Sequence, residues 1–285
     1  MAITYESLLN YRIPEVRQTL RWQDVALYNF SIGLGQDPMD EHQLDFLYEP
    51  RLKVMPSMPV VLGAPGFWSR NADTGIDWVK IVHGEQGLIL HRPLPVEGEV
   101  IGRSRVTGLV DRGPGKGALM YSERQVVEAK TGALLATLTS TSFLRGDGGF
   151  GGPAGPVKAP HPEPAHAPDA VLDLATRPEQ ALVYRLNSDL NPLHIDPKVA
   201  AAAGFPRPIL HGLCTFGTVC HALLRLLCEY DPARFGRMDL RFSSPVYPGE
   251  TIRTEIWHEA GGAAFRARVV ERDQIVVSNG LFRFA

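Results

Sequence analysis

A chain of 285 residues can bury a sizeable core and accommodates one large or two modest domains, of which two is the expectation. With 44% hydrophobic, 21% charged and 8% aromatic residues, its make-up is that of an ordinary globular protein and excludes a disordered or fibrous one. A formal net charge of -2 excludes a global attraction to nucleic acid or to an anionic membrane surface, so any anionic ligand has to be held locally.

The opening residues, "MAITYESLLNYRIPE", lack a basic start followed by an apolar stretch, and no apolar run approaches the roughly 20 residues that span a bilayer. The carboxyl end, "LFRFA", is not a recognised address, and the expectation is a cytoplasmic protein without a membrane or nucleic-acid partner. Gly33 and Gly35, in "SIGLG", lack the spacing of a phosphate-binding loop. Farther on, "GALLATLTSTSF" alternates apolar and polar residues as a strand with one wet face does, after a turn at Thr131 and Gly132.

Residues 146–170, "GDGGFGGPAGPVKAPHPEPAHAPDA", are rich in Gly, Pro and Ala and hold too few large apolar side chains for a core of their own. They read as a linker between residues 1–145 and 171–285. Across it, "PVVLG" ending at Gly63 returns as "PILHG" ending at Gly212, and "GEVI" from Gly98 returns as "GETI" from Gly249. The offsets, 149 and 151 residues, nearly coincide, which marks a duplicated unit.

The second unit opens with "YRLNSDLNPLHIDPKVAAAAGFPRPILHGL", where acids, histidines, prolines and glycines crowd together. Asn191 suits a helix cap and Pro192 the first helical position, which puts His194 in the first turn. A helix start with polar decoration accounts for this much. The turn also lets Asp189 and His194 point into one cleft and hold a water between them, with the imidazole suited to proton transfer near neutrality. A competing set, His194, Asp196 and His211, has the residue types of the facial triad of non-haem iron enzymes, but Pro197 and the helix start disfavour it, and no metal is expected.

From Gly212 to Glu229 the chain is apolar around most of a helix, with Thr218, His221, Arg225 and Glu229 forming a narrow polar stripe, and it reads as buried. Gly212 at its start offers a bare backbone N–H at the positive end of the helix dipole, suited to a developing oxyanion; the alternative is a glycine required by close packing or a positive φ. The three cysteines, Cys214, Cys220 and Cys228, are odd in number and form no C-x-x-C pair, so they read as reduced core residues. No G-x-S-x-G nucleophile is present. "AFRARVV" then alternates Phe265, Ala267 and Val269 with Arg266 and Arg268 as a strand between turns at Gly261–Gly262 and 272–274. A long buried helix against antiparallel strands is an α+β layout.

The stretch "YRLNSDLNPLHIDPKVAAAAGFPRPILHGLCTFG" resembles the signature of the MaoC-like (R)-specific enoyl-CoA hydratases, including the hydratase domain of peroxisomal multifunctional enzymes. "ALYNFSIGLGQDP", "LDFLYEP", "SFLRGDGGFGG" and "RFSSPVYPGET" extend the resemblance over most of the chain. It implies a double hotdog fold, each unit a curved antiparallel sheet wrapped round a central helix. In such members the first unit has lost the catalytic motif and makes room for a bulky acyl chain. This chain fits, since no Asp-x-Asn-Pro-x-x-His precedes "PVVLG".

The resemblance further implies Asp189 and His194 as the catalytic pair, Asn191 as support for loop and substrate, and the Gly212 N–H as ligand of the thioester oxygen. His211 would line the substrate site, and Lys198, Arg207 and Arg241 would contact the CoA phosphates. It implies enoyl-CoA and 3-hydroxyacyl-CoA as ligands, no cofactor, and a homodimer. One position departs from the pattern: Ser188 stands where many relatives have Gly, and the site is expected to survive it. An acyl-CoA thioesterase and a non-catalytic acyl-CoA binding protein on the same fold are the competing functions, since fold alone does not decide between them.

Overall fold

The computed structural model describes residues 3–285. Ten strands build one antiparallel sheet: β1 (Val16–Leu20), β2 (Ile81–Leu90), β3 (Gly98–Asp111), β4 (Ala118–Glu128), β5 (Leu134–Leu144), β6 (Ala170–Ala175), β7 (Phe235–Phe242), β8 (Thr251–Glu259), β9 (Gly262–Val269) and β10 (Gln274–Phe284). Their order is β1-β3-β4-β5-β2-β7-β10-β9-β8-β6. From either outer edge inward the connectivity is the same, β1-β3-β4-β5-β2 matching β6-β8-β9-β10-β7, so the faint sequence repeat is a repeat of five strands. "GEVI" opens β3, and "GETI" leads into its counterpart β8.

The two halves meet at β2 and β7, where Glu85 pairs with Arg241 and Ile89 with Arg237 in antiparallel register. Arg241 donates Nε and Nη2 to Glu85 Oε1 at 3.1 and 2.7 Å, and Thr141 donates to the other carboxylate oxygen at 2.7 Å. Opposite charges facing each other across the seam favour this register over a slipped one.

Six helices accompany the sheet: α1 (Tyr5–Leu9), α2 (Trp22–Ser31), α3 (Glu41–Leu44), α4 (Gln180–Tyr184), α5 (Pro197–Ala202) and α6 (Gly212–Cys228). The apolar run read as a buried helix is α6, and it buries Phe216, Val219, Leu223 and Leu224 completely. Each such side chain contributes roughly 1.5–3 kcal/mol over its exposed state. Its polar stripe is not a wet face throughout: Thr218 donates to Cys214 O at 3.1 Å, and His221 bonds the Tyr230 hydroxyl at 3.1 Å, both inside the core. Cys214, Cys220 and Cys228 are free and buried, and burial pushes each thiol up to about 12. A thiol so raised is inert as a nucleophile.

The units differ at one point. After "PILHG" the chain enters α6, whereas after "PVVLG" it runs through short 3-10 turns at Trp68–Arg70, Ala72–Thr74 and Trp78–Lys80 before β2. A central helix therefore follows this motif in the second unit and not in the first. Pro65 and Gly66, just beyond Gly63, break a helix there. The longest helix of the first unit is α2, which lies against the start of α6: Cys214 Sγ contacts Ser31 O at 3.5 Å and Thr218 Oγ1 contacts Ile32 O at 3.4 Å.

In β9, Phe265, Ala267 and Val269 face the core as their alternation implied. The Gly/Pro-rich segment between β5 and β6 forms no helix or strand, but it is pinned to the sheet. Gly149 and Gly151 donate to Asp111, Asn279 Nδ2 donates to His161 O at 2.9 Å, and Trp257 Nε1 donates to His166 O at 2.9 Å.

Candidate active site

The catalytic loop leaves α4 through a 3-10 turn, Arg185–Asn187, and reverses at Ser188. Ser188 has φ 78° and ψ 10°, the left-handed region. This is the physical reason a glycine suits the position, since a Cβ there costs about 1–2 kcal/mol. Ser188→Gly is expected to raise stability by about 0.5–1 kcal/mol, offset in part by the added freedom of the unfolded chain. Urea denaturation with an unchanged m-value would show it, and a loss of stability would contradict the strain. The loop is tied to the first unit by Asn187, whose Nδ2 donates to Ser31 Oγ at 3.0 Å and to Tyr184 O at 2.9 Å.

Asn191 caps the next turn, its Oδ1 accepting from Leu193 N at 3.1 Å, with Pro192 at the first position. The turn is 3-10, Pro192–His194, and it swings His194 inward until 8% of that residue is exposed. His194 Nδ1 lies 2.9 Å from Ile209 O. A carbonyl only accepts, so the neutral ring carries its proton on Nδ1 and leaves the Nε2 lone pair free to take another. Burial, the dominant cause, lowers the His194 pKa below 6.5, against the opposing pull of the Ile209 carbonyl and of the Asp189 charge. Near neutrality the ring is therefore an unprotonated base.

Asp189, His194 and His211 place one oxygen or nitrogen each within 4.8 Å of one another. Asp189 is half-buried and His211 completely buried. The imidazoles of His194 and His211 stack, with centroids 3.7 Å apart and planes 28° from parallel. A metal ion binds imidazole nitrogen in the ring plane, and two stacked rings offer no common in-plane point at about 2.0–2.1 Å. Asp196, the carboxylate of the competing triad, is turned away to cap α5, accepting from Lys198 N at 2.8 Å.

Gly212 starts α6 with no side-chain cap over its N-terminus. A Cβ built there would meet only the Phe242 ring, at 3.6 Å, an ordinary contact, and its φ is not positive. Neither packing within the chain nor backbone conformation demands the glycine. Its N–H is partly accessible, beside Phe242, whose ring in turn packs edge-on against His83 at 5.0 Å. His83 comes from β2 of the first unit and feels the Asp189 charge. It was invisible to motif reasoning, because only the β2–β7 pairing delivers it to a loop more than a hundred residues away.

Two regions of the chain match family models: residues 160–279 match the MaoC like domain, and residues 19–146 match the MFE-2 hydratase 2 N-terminal domain. The sequence is 37% identical to the peroxisomal enoyl-CoA hydratase 2 of Arabidopsis thaliana, over 95% of this chain and 92% of that one. The chain belongs to the MaoC-like hydratase family. A MaoC-like dehydratase from Phytophthora capsici superposes with a TM-score of 0.87 at 35% identity, covering 98% of both chains. At the level of fold alone, a Mycobacterium tuberculosis protein described as a double hotdog superposes with a TM-score of 0.54 at 19% identity, over 95% of this chain and 93% of that one.

Against this MaoC-like frame, four residues expected to touch substrate divide. His211 is 0% exposed and cannot line a substrate site; its ring is enclosed by His194 and by Tyr184, 4.9 Å away. Arg241 is engaged by Glu85 in the seam, so its charge is already compensated. Lys198 is exposed on α5, and Arg207 is exposed beside the Tyr247 ring, with Nη1 reaching Pro248 O at 3.3 Å. Neither is drawn into a buried ion pair.

The first unit of this MaoC-like chain preserves the outline of a second site with its functions closed. Val60, the counterpart of Ile209 at the repeat offset, has its carbonyl held by Arg124 Nη2 at 2.7 Å, where the second unit uses His194. Gly63, the counterpart of Gly212, donates its N–H to Gln18 Oε1 at 2.8 Å and sits at φ 56°. A Cβ on Gly63 would strike Gly102 N at 2.5 Å. A donor so occupied and so closely packed has no room for a substrate oxygen.

Proposed function

We propose that this chain catalyses the reversible (R)-specific hydration of trans-2-enoyl-CoA to (3R)-3-hydroxyacyl-CoA. The observation that carries the reading is the convergence of a preset imidazole base, His194, and the Asp189 carboxylate beside an uncapped helix N-terminus at Gly212. Asp189 and His194 orient one water and take its proton as the oxygen adds to C3. The electron pair of the double bond moves toward the thioester carbonyl, where the Gly212 N–H meets the growing negative charge. A proton then goes to C2, and the sum is addition of one water across C2 and C3. An oxyanion donor of this kind is worth about 2.7–4 kcal/mol, because it strengthens only as the charge develops.

Asn191 supports this arrangement by capping the turn that carries His194. Lys198 and Arg207 are the cations we assign to the CoA phosphates. The first unit, residues 1–145, supplies a wall through His83, and we assign it the acyl chain; residues 146–170 link it to the catalytic unit at residues 171–285. The chemistry uses water and groups of the chain, with no cofactor. We assign the working assembly as a homodimer, to be checked by light scattering. The three free buried thiols fit a reducing compartment, and we place the protein in the cytoplasm. No helix among the described residues is long and apolar enough to cross a membrane.

The test follows enoyl-thioester absorbance with crotonyl-, decenoyl- and branched enoyl-CoA and determines product chirality. Loss of absorbance with a (3R) product is the expected result. Release of free CoA thiol without that loss indicates a thioesterase, and tight binding without turnover indicates a binding protein; either outcome overturns the reading.

A further inference from the structure

Of the six buried side-chain nitrogen or oxygen atoms that find no partner in the described residues, His211 Nδ1, the Tyr184 hydroxyl and Arg185 Nε belong to residues at the catalytic loop. Native interiors leave few such atoms unpaired, and each one calls for an explanation. His211 is where they meet. It precedes the Gly212 N–H in sequence, stacks on the His194 ring at 3.7 Å, packs against Tyr184 at 4.9 Å, and holds Asp189 through Nε2, 3.2 Å from the Asp189 backbone oxygen. One buried ring thus touches or adjoins every element assigned to the chemistry.

The tautomer follows from the partners. The Asp189 carbonyl can only accept, so Nε2 carries the proton and Nδ1 is left as a bare lone pair in the interior. A second proton on this ring would place an N–H at Nδ1 with nothing to receive it, and a cation against the ring that must itself accept the proton from water. The charged and titratable groups around His211 are Asp189, His194, Arg185 and Tyr184. Burial first, then His194 and Arg185, hold its pKa down to about 4, while Asp189 opposes them.

We propose that His211 is a positioning residue for the hydration chemistry, acting only as the neutral tautomer protonated on Nε2: it fixes the Asp189 loop through a backbone carbonyl and sets the plane of the catalytic His194. This rests on the hydratase reading, but its structural half stands apart from it. The leucine at the equivalent place in the first unit, Leu62, agrees with the division of labour: it is buried and apolar beside a turn with no catalytic loop to hold.

The experiment compares His211→Leu with His211→Gln on an enoyl-CoA substrate and follows the histidine side chains of 15N-labelled wild type by NMR. His211→Leu is expected to lower kcat by about 10–100-fold with KM changed less than threefold, since a small displacement of reacting groups costs that much. His211→Gln, whose amide can still donate to Asp189 O, should recover at least part of the loss. By NMR one histidine should show the Nε2–H form and stay unprotonated until pH approaches 4, a signal absent from the His211→Gln protein. Wild-type kcat in His211→Leu, or equal loss in both variants, overturns the positioning role. A His211 signal in the Nδ1–H form, or titrating near 6.5, overturns it even where His211→Leu does not fold. If wild type turns over no enoyl-CoA while the NMR result holds, the hydratase reading alone falls.

Discussion

Asp189→Asn and His194→Gln are each expected to lower kcat for enoyl-CoA hydration by about 10²–10⁴-fold, the range for loss of a general acid or base. Both substitutions preserve shape. The Asp189 side chain makes only a long contact, 3.4 Å, with Asn191 N, so an amide in its place disturbs little of the loop. Gln at 194 keeps a donor toward Ile209 O, the bond that seats the native ring. Far-ultraviolet circular dichroism and melting curves should therefore stay near wild type while turnover disappears. Retention of a tenth or more of the wild-type rate in either variant would remove that residue from the chemistry. The pH profile supplies an independent check. Because burial lowers the His194 pKa, the neutral base persists below pH 6.5, and kcat/KM should fall only as pH drops through that lowered value. An acid limb centred above 6.5 would contradict the assignment.

Gly212→Pro is expected to cost about 10²–10³-fold in kcat with the fold retained, because proline deletes the one N–H assigned to the thioester oxygen. The position tolerates the ring unusually well. It is the first residue of α6, where proline's missing N–H breaks no helical hydrogen bond. His211 before it has φ -58° and ψ 135°, the extended conformation a residue preceding proline requires. Gly212→Ala is the control, since its N–H survives and its methyl group meets only the Phe242 ring at 3.6 Å. The loss in Gly212→Ala should be clearly smaller than in Gly212→Pro. Equal activities in the two variants would show that the N–H takes no part.

What the sequence made legible depended on signals that stay local. The cap at Asn191, the proline after it, the apolar circumference of α6 and the alternation through Phe265, Ala267 and Val269 each report on a few neighbouring residues, and each appears where expected. The repeat was legible as well, because duplication leaves its spacing in the chain even after most side chains have changed. The seam was not. Nothing near Glu85 indicates that it faces Arg241 some 156 positions later, so Arg241 read as a free cation and His83 did not register at all. His211 was misjudged for a related reason. Its neighbours in sequence suggest a lining residue, and only the ring stack with His194 shows it to be enclosed. Ser188 stood out as a departure, but its meaning required the left-handed backbone to be seen.

The closed turn in the first unit, with Arg124 on the Val60 carbonyl and Gln18 on the Gly63 N–H, has an evolutionary consequence. In a symmetric pair of identical subunits every mutation is made twice, so a change that widens the binding wall also strikes the catalytic loop of the other copy. Fusion into one chain removes that coupling. Once one of the two sites has been retired, its half of the molecule can drift toward new acyl groups while the other half keeps the proton chemistry unaltered. An engineer seeking altered chain-length preference would accordingly randomise residues of the first unit and leave the stretch from Tyr184 to Leu213 alone.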